Sequence, residues 1–187
     1  HLGYLHTEAS ADYVNKKMLS FGIETEIPYK KDNKLRFFVN SDIIKNGAGW
    51  LFPCGKKARF GVGSYNGKTN LLPNLRALLN KYHLKEGKIH GGYFCYCLKE
   101  PVVKNIFIAG CAAGQTLPLT GEGIRKSILF GLVCGEIVQK IINNEISLVE
   151  GIKEYLNFDL GHKKGYNFLL KSQKLLPSMP NWELNII

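Results

Sequence analysis

At 187 residues, 45% of them hydrophobic, the chain is long enough for one domain with a core of its own, or a domain with a helical appendage, and its composition does not indicate disorder. A formal net charge of +10 points toward acidic partners, but the lysines are spread out and no nucleic-acid motif accompanies them, so a solvated basic surface is expected. No apolar run reaches the roughly 18–20 residues that cross a bilayer, the start of the chain lacks a signal-peptide pattern, and five cysteines make no disulfide framework. A reducing cytoplasm is the expected compartment, with peripheral membrane contact as an alternative. The absence of an initiating Met fits a processed form or a fragment.

In chain order, residues 3–7 read as a strand and 10–19 as a helix with Ser10 as N-cap. Residues 23–27 alternate apolar and polar, as a half-buried strand does, and with 35–39 they form an expected hairpin around the turn 31–34. Residues 49–54 and 58–65 form a second pair, and the whole reads as an antiparallel meander. A helix is expected over 71–82, with Leu72, Leu75, Leu78, Leu79 and Tyr82 on one broad face, followed by a strand over 89–97 with a close approach or bulge at Gly91-Gly92. Cys95 and Cys97 lack the further ligands a metal site needs, so no metal is expected. Residues 148–160 and 166–176 read as two helices separated at Gly161–Gly165, with Pro177 and Pro180 ending regular structure. Apolar residues beside lysines there (Leu169, Leu170, Leu175, Leu176) suit packing against the body of the protein or lying on a membrane surface.

The stretch 105–142 organises the rest. An apolar run, Ile106 to Ala109, has strand length and stops at Gly110; a loop of small residues leads to Thr120-Gly121; an amphipathic helix follows, apolar at 124, 128, 132 and 138 with Gly131 and Gly135 on the same face. Thr120 is the expected N-cap. Gly121 and Gly123 let backbone approach a ligand, and a helix start offers free N–H groups to anionic or carbonyl oxygens. On residues alone this is a cofactor cradle or a plain strand-loop-helix joint. Period two places Trp50 and Phe52 on one face, as a cavity wall or as an aromatic sheet core, and Cys54 follows Pro53.

The run AGCAAGQTLPLTGEGIRKSILFG resembles the second flavin-contacting motif of FAD-dependent oxidoreductases, in particular the geranylgeranyl reductase family: Gly110, Ala112, Ala113, Gly114, Pro118, Thr120, Gly121, Glu122, Gly123 and Ile124 match. Cys111 stands where that family has an Asp that hydrogen-bonds the ribityl chain. Trp50, Phe52 and Pro53 match a family signature lining the substrate cavity, with Ala48 in place of its Tyr, and Glu8 and Ala9 stand where the family has Asp and Gly. The resemblance implies an α+β fold: an antiparallel-sheet substrate domain plus the strand-loop-helix second half of a p-hydroxybenzoate hydroxylase-like FAD-binding fold, with C-terminal helices. It divides the chain into an FAD-domain remnant (1–20), a substrate region (21–103), an FAD-contacting segment (104–143) and a helical end (144–187).

It also implies FAD contacts at Gly110, Cys111, Ala112, Pro118, Gly121, Glu122, Gly123 and Ile124, and an isoprenoid or lipid substrate at Trp50, Phe52, Pro53 and Cys54. The reaction implied is reduction of carbon–carbon double bonds by hydride from reduced flavin. No Gly-x-Gly-x-x-Gly turn follows a strand at the start of the chain, so FAD binding is expected to be weak or to depend on a missing N-terminal segment or a partner chain that supplies it. No acid or base residue stands out. The alternatives are another enzyme of the flavin superfamily, a monooxygenase or dehydrogenase, and a non-catalytic remnant that binds a lipid or a partner.

Overall fold

The computed structural model describes residues 19–30 and 33–186. The strand expected at 3–7, Glu8, Ala9 and all but the last residue of the helix expected at 10–19 lie outside the described residues, as do two residues of the 31–34 turn. The architecture is α+β, and the chain divides into two compact units: residues 19–93 with 174–187, and a second whose described part is 94–173.

The first unit is built on a six-stranded sheet. Its strands are β1 (Leu19–Pro28), β2 (Leu35–Val39), β3 (Gly47–Cys54), β4 (Lys57–Ser64), β5 (Ile89–Cys95) and β8 (Trp182–Ile186), in the order β5-β1-β4-β3-β2-β8. Alternation sets the faces. Ile23, Ile27, Leu51, Ala58, Phe60 and Val62 point into a core closed by Leu75, Leu78 and Leu79 of helix α1 (Leu72–Asn80), while Glu24, Glu26, Lys57 and Arg59 lie on the other side. Each fully buried Leu or Phe of that core contributes about 1.5–3 kcal/mol. The approach expected at Gly91 is present: an added Cβ there would overlap the carbonyl oxygen of Gly22.

The expected hairpin between 23–27 and 35–39 does not form. β1 pairs antiparallel with β4 through eight residues, from Phe21↔Ser64 to Pro28↔Lys57, and β2 pairs with β3. The reason lies in volume rather than in the local turn. β4 carries Gly61 and Gly63 outward, facing Glu24 and Gly22 of β1, and an added Cβ at Gly61 would overlap the Trp50 ring. With β4 between β1 and β3, the indole lies flat across this glycine shelf. A second correction concerns the end of the chain: after Pro177 and Pro180 regular structure resumes as β8, which extends the sheet beside β2 over five register pairs.

The second unit carries β6 (Val102–Val103) paired with β7 (Ile106–Phe107), one 3-10 turn (Gly110–Ala113), and helices α2 (Ile124–Ile142) and α3 (Leu148–Leu175). Val102, Ile137 and Tyr155 form its buried centre with Phe107, Val133, Ile141 and Ile152, and Phe130 packs against Phe158 and His162. The buried strand expected over 106–109 is only two residues long and Ile106 is 51% exposed; Ile108 N–H still reaches Pro101 O at 2.8 Å, one pair beyond the strand, before Gly110, at φ +76°, reverses the backbone.

The two C-terminal helices expected on either side of 161–165 are one helix of 28 residues. Ser147 and Glu150 start it with a reciprocal capping box, Glu150 N–H on Ser147 Oγ at 3.3 Å and Ser147 N–H on the Glu150 carboxylate at 2.8 Å. His162, inside the expected break, packs on Phe130 and Phe158, and Tyr166 is anchored beyond it, so tertiary contacts outweigh the propensity cost of two glycines. Gly161 and Gly165 are exposed, with nothing within 4 Å of an added Cβ. Gly161→Ala is therefore expected to raise stability by about 0.5–1 kcal/mol, read as a higher urea midpoint with an unchanged slope. Among the described residues no helix is long and apolar enough to cross a membrane.

Candidate functional site

Gly110 takes φ +76°, Gly114 +66° and Gly121 +66°, left-handed conformations that leave the loop 110–123 folded back on itself. The first half is a closed ring: Gly110 N–H donates to Gln115 Oε1 at 2.6 Å and Gln115 N–H returns to Gly110 O at 3.1 Å. Under it, an added Cβ at Gly110 would meet Ser127 Oγ at 2.7 Å, and one at Gly114 would overlap the Cys97 carbonyl oxygen. The second half is held by Leu117 N–H on Glu122 O at 3.0 Å and Gly121 N–H on Leu117 O at 3.1 Å.

The two halves bring Cys111, Thr116 and Gly123 together. Cys111 Sγ is 3.0 Å from Thr116 Oγ1, and a Cβ at Gly123 would lie 3.2 Å from that hydroxyl and 3.8 Å from the sulfur. Thr120 does not cap α2: the N-cap is Gly123, without a side-chain hydrogen bond, and Thr120 Oγ1 accepts the Glu122 N–H at 3.4 Å instead. The helix begins later than the motif suggests because Gly121, left-handed, still belongs to the turn. The first-turn N–H groups of α2 are thus left for solvent or a ligand. Glu122 beside them is paired through both oxygens with Arg125, whose hydrogen bond holds the carboxyl below the usual range.

Cys111, Ala112, Gly121 and Ile124 are exposed, whereas Pro118 is buried and shapes the turn. The α2 face expected to be apolar is apolar, but it faces outward: Ile124 is 82%, Ile128 58% and Leu132 62% exposed, and nothing lies within 4 Å of a Cβ at Gly131 or Gly135. The buried side of α2 carries Phe130 and Ile137 instead.

On the first unit's sheet, Trp50 and Phe52 stack with ring centroids 6.3 Å apart on the side opposite Leu51. Trp50 Nε1–H donates to Glu24 Oε2 at 3.2 Å, and Phe52 is 40% exposed. Pro53 is half-buried opposite Ala58, and Cys54 is exposed at the hairpin end opposite Lys57. These side chains form an aromatic shelf rimmed by Glu24, His90 and Arg59.

Sequence reasoning missed the side chains that hold the loop. Tyr155 OH donates to Ile108 O at 2.9 Å, Asp159 Oδ1 accepts Gln115 Nε2–H at 3.0 Å, Tyr166 OH donates to Gln115 O, and Gln173 Oε1 accepts the Leu119 N–H at 2.7 Å. All sit on α3, where about 100° per residue puts positions 155, 159, 166 and 173 within roughly 40° of one another. The stripe is present in the sequence as a spacing of polar residues, which apolar periodicity does not mark. Burial pushes the Tyr155 phenol up to about 12 and raises the Tyr166 phenol too.

Burial also raises the Asp159 carboxyl, against the Gln115 hydrogen bond and the nearby His162 and Lys163. A carboxyl raised in the fold binds more protons folded than unfolded, so its contribution to stability falls as pH climbs from the ordinary aspartate range to the raised value. Asp159→Asn keeps an acceptor for Gln115 and removes that fall. The variant is expected to match the parent near pH 3 and to be the more stable of the two at pH 7, read from urea midpoints across pH.

No protein-family profile matches the chain. It is similar to the digeranylgeranylglycerophospholipid reductase of Methanocaldococcus jannaschii, 28% identical over 87% of this chain and 44% of the relative. Among solved structures it resembles a geranylgeranyl bacteriochlorophyll reductase-like protein from Thermoplasma acidophilum, with a TM-score of 0.75 at 18% identity over 88% of this chain and 45% of that one. It also resembles PqsL, a probable FAD-dependent monooxygenase from Pseudomonas aeruginosa, with a TM-score of 0.59 at 14% identity over 85% and 48%. The chain therefore spans less than half the length of each of these three proteins.

Proposed function

We propose that this chain, which resembles the geranylgeranyl reductase family in its sequence motifs and in its α+β fold, is the substrate-side and ring-side part of an FAD-dependent oxidoreductase that reduces double bonds of an isoprenoid lipid. The observation that carries the reading is the loop 110–124, where three left-handed glycines open onto an uncapped helix start. The residues fit the ring end of a flavin. Backbone reaches the surface at Gly121 and Gly123, and the α2 N–H groups offer a partial positive charge to a carbonyl or anionic edge. Glu122, neutralised by Arg125, does not oppose it.

When bound, FAD would supply the hydride. The protein's share would be to orient and to exclude water: Trp50 and Phe52 give an isoprenoid chain a flat apolar seat, and Pro53 stiffens its strand. Cys111 is the poor part of the fit, because a thiol is a weak acceptor for a ribityl hydroxyl where a carboxylate would be strong. FAD is thus held weakly by this chain alone.

The relatives' remaining length suggests what completes the site: a segment carrying a dinucleotide turn, on the same gene product or a partner chain, docked on the outward face of α2. Ile124, Ile128 and Leu132 supply apolar area there, and Gly131 and Gly135 let a backbone approach closely. The test is a visible absorbance scan of the chain after adding FAD and desalting, alone and co-expressed with the polypeptide that completes it, followed by an isoprenoid-reduction assay of the yellow complex. Flavin bands and turnover only in the completed complex are expected. A completed complex that stays colourless would favour the non-catalytic reading, a lipid- or partner-binding remnant, for which Cys111 already speaks.

A further inference from the structure

We infer that the buried face of α3 is a splint that sets the geometry of the loop 110–123 before any ligand arrives, with Asp159 and Gln115 as its central positioning residues. What the splint serves rests on the flavin reading above; the splint itself stands on the hydrogen bonds of Tyr155, Asp159, Tyr166 and Gln173 to the loop.

The loop needs such a support. Leu119 holds φ +71°, a conformation disfavoured for a residue with a β-carbon, and its N–H is taken by Gln173. Gln115 is fully buried, so both ends of its amide require partners. Its oxygen takes the Gly110 N–H and its nitrogen reaches Asp159, itself only 5% exposed. An apolar side chain at 159 would pack at no desolvation cost but would orphan the Gln115 amide, and with it the link that closes the ring at Gly110. Tyr155 and Tyr166 fix the carbonyls of Ile108 and Gln115, on either side of that ring. The open edge formed by Cys111 and Gly123 is consequently preshaped, and a ligand meeting it does not have to order it.

Cys111, exposed at the edge of the ring, reports on the splint without any flavin, and Cys54, exposed in the other unit, serves as the internal reference. Iodoacetamide labelling of the full chain, resolved by peptide mass spectrometry, is compared among the parent, Asp159→Leu and Asp159→Asn. Asp159→Leu is expected to label Cys111 about tenfold faster with Cys54 unchanged, and Asp159→Asn, which keeps an acceptor, to stay within about twofold of the parent. A Cys111 rate in Asp159→Leu within about twofold of the parent, or an Asp159→Asn as fast as Asp159→Leu, overturns the splint. Should Asp159→Leu not fold, amide exchange in the parent decides: the Gly110 N–H is expected to be protected at least about a hundredfold, and free-chain exchange there overturns the splint. A loosened loop with unaltered FAD affinity in the completed complex would remove the flavin reading and leave the splint standing.

Discussion

Gly114→Ala is expected to destabilise the protein by about 3–5 kcal/mol, near the upper end of what single substitutions do. Two costs coincide at this residue. Its φ of +66° is left-handed, which penalises a β-carbon by about 1–2 kcal/mol. The β-carbon would also overlap the Cys97 carbonyl oxygen, a backbone atom that cannot swing aside as a side chain would. Gly55 separates the two costs. It has nearly the same φ, +62°, but nothing within 4 Å of an added Cβ, so Gly55→Ala is expected to cost only about 1 kcal/mol. Urea unfolding of both variants gives the comparison. Equal losses would mean that the chain does not pass as close to Cys97 as described.

Cys111→Asp is expected to tighten FAD binding by about 10- to 100-fold, the equivalent of one charge-assisted hydrogen bond of roughly 1.5–3 kcal/mol. Position 111 is exposed, so a carboxylate there keeps much of its hydration. It lies on the edge shared with Gly123, the N-cap of a helix that has no side-chain cap and whose partial positive charge favours an anion. The Thr116 hydroxyl that now contacts the thiol can donate to the carboxylate and hold its rotamer. Flavin fluorescence titrated with the parent and the variant, each in the completed complex, measures the change. No gain would show that the ribityl chain does not run past residue 111.

What the sequence made legible was what short-range pattern encodes. Ile23 and Ile27 alternate with glutamates, Leu75, Leu78 and Leu79 recur at helical spacing, and the Trp50 and Ala58 strands are joined by a tight turn; all appear in the fold as expected. The Gly110 to Ile124 motif was legible as a run of glycines whose positive φ values the structure supplies at Gly110, Gly114 and Gly121. Pairing partners were less so. Whether β1 lies beside β2 or β4 depends on where the Trp50 indole finds room, a volume constraint between residues distant in sequence. The continuity of α3 through Gly161 depends on rings from another helix closing around His162. Buried polar stripes were hidden for a related reason. Asp159 and Gln173 read as surface residues until Gln115 and the Leu119 N–H are placed against them.

The glycine shelf under Trp50 makes the indole an optical reporter. The chain has two tryptophans, and Trp50 lies half-buried, its ring edge on the Glu24 carboxylate and its face stacked toward Phe52. A prenyl chain settling on that face would replace water over the ring and shift its emission to shorter wavelength, whereas Trp182, in the edge strand β8, supplies a constant background. On the proposed reading, lipids of graded chain length would be ranked by titrating tryptophan fluorescence, with no flavin, reductant or turnover, and Trp50→Phe should silence the signal.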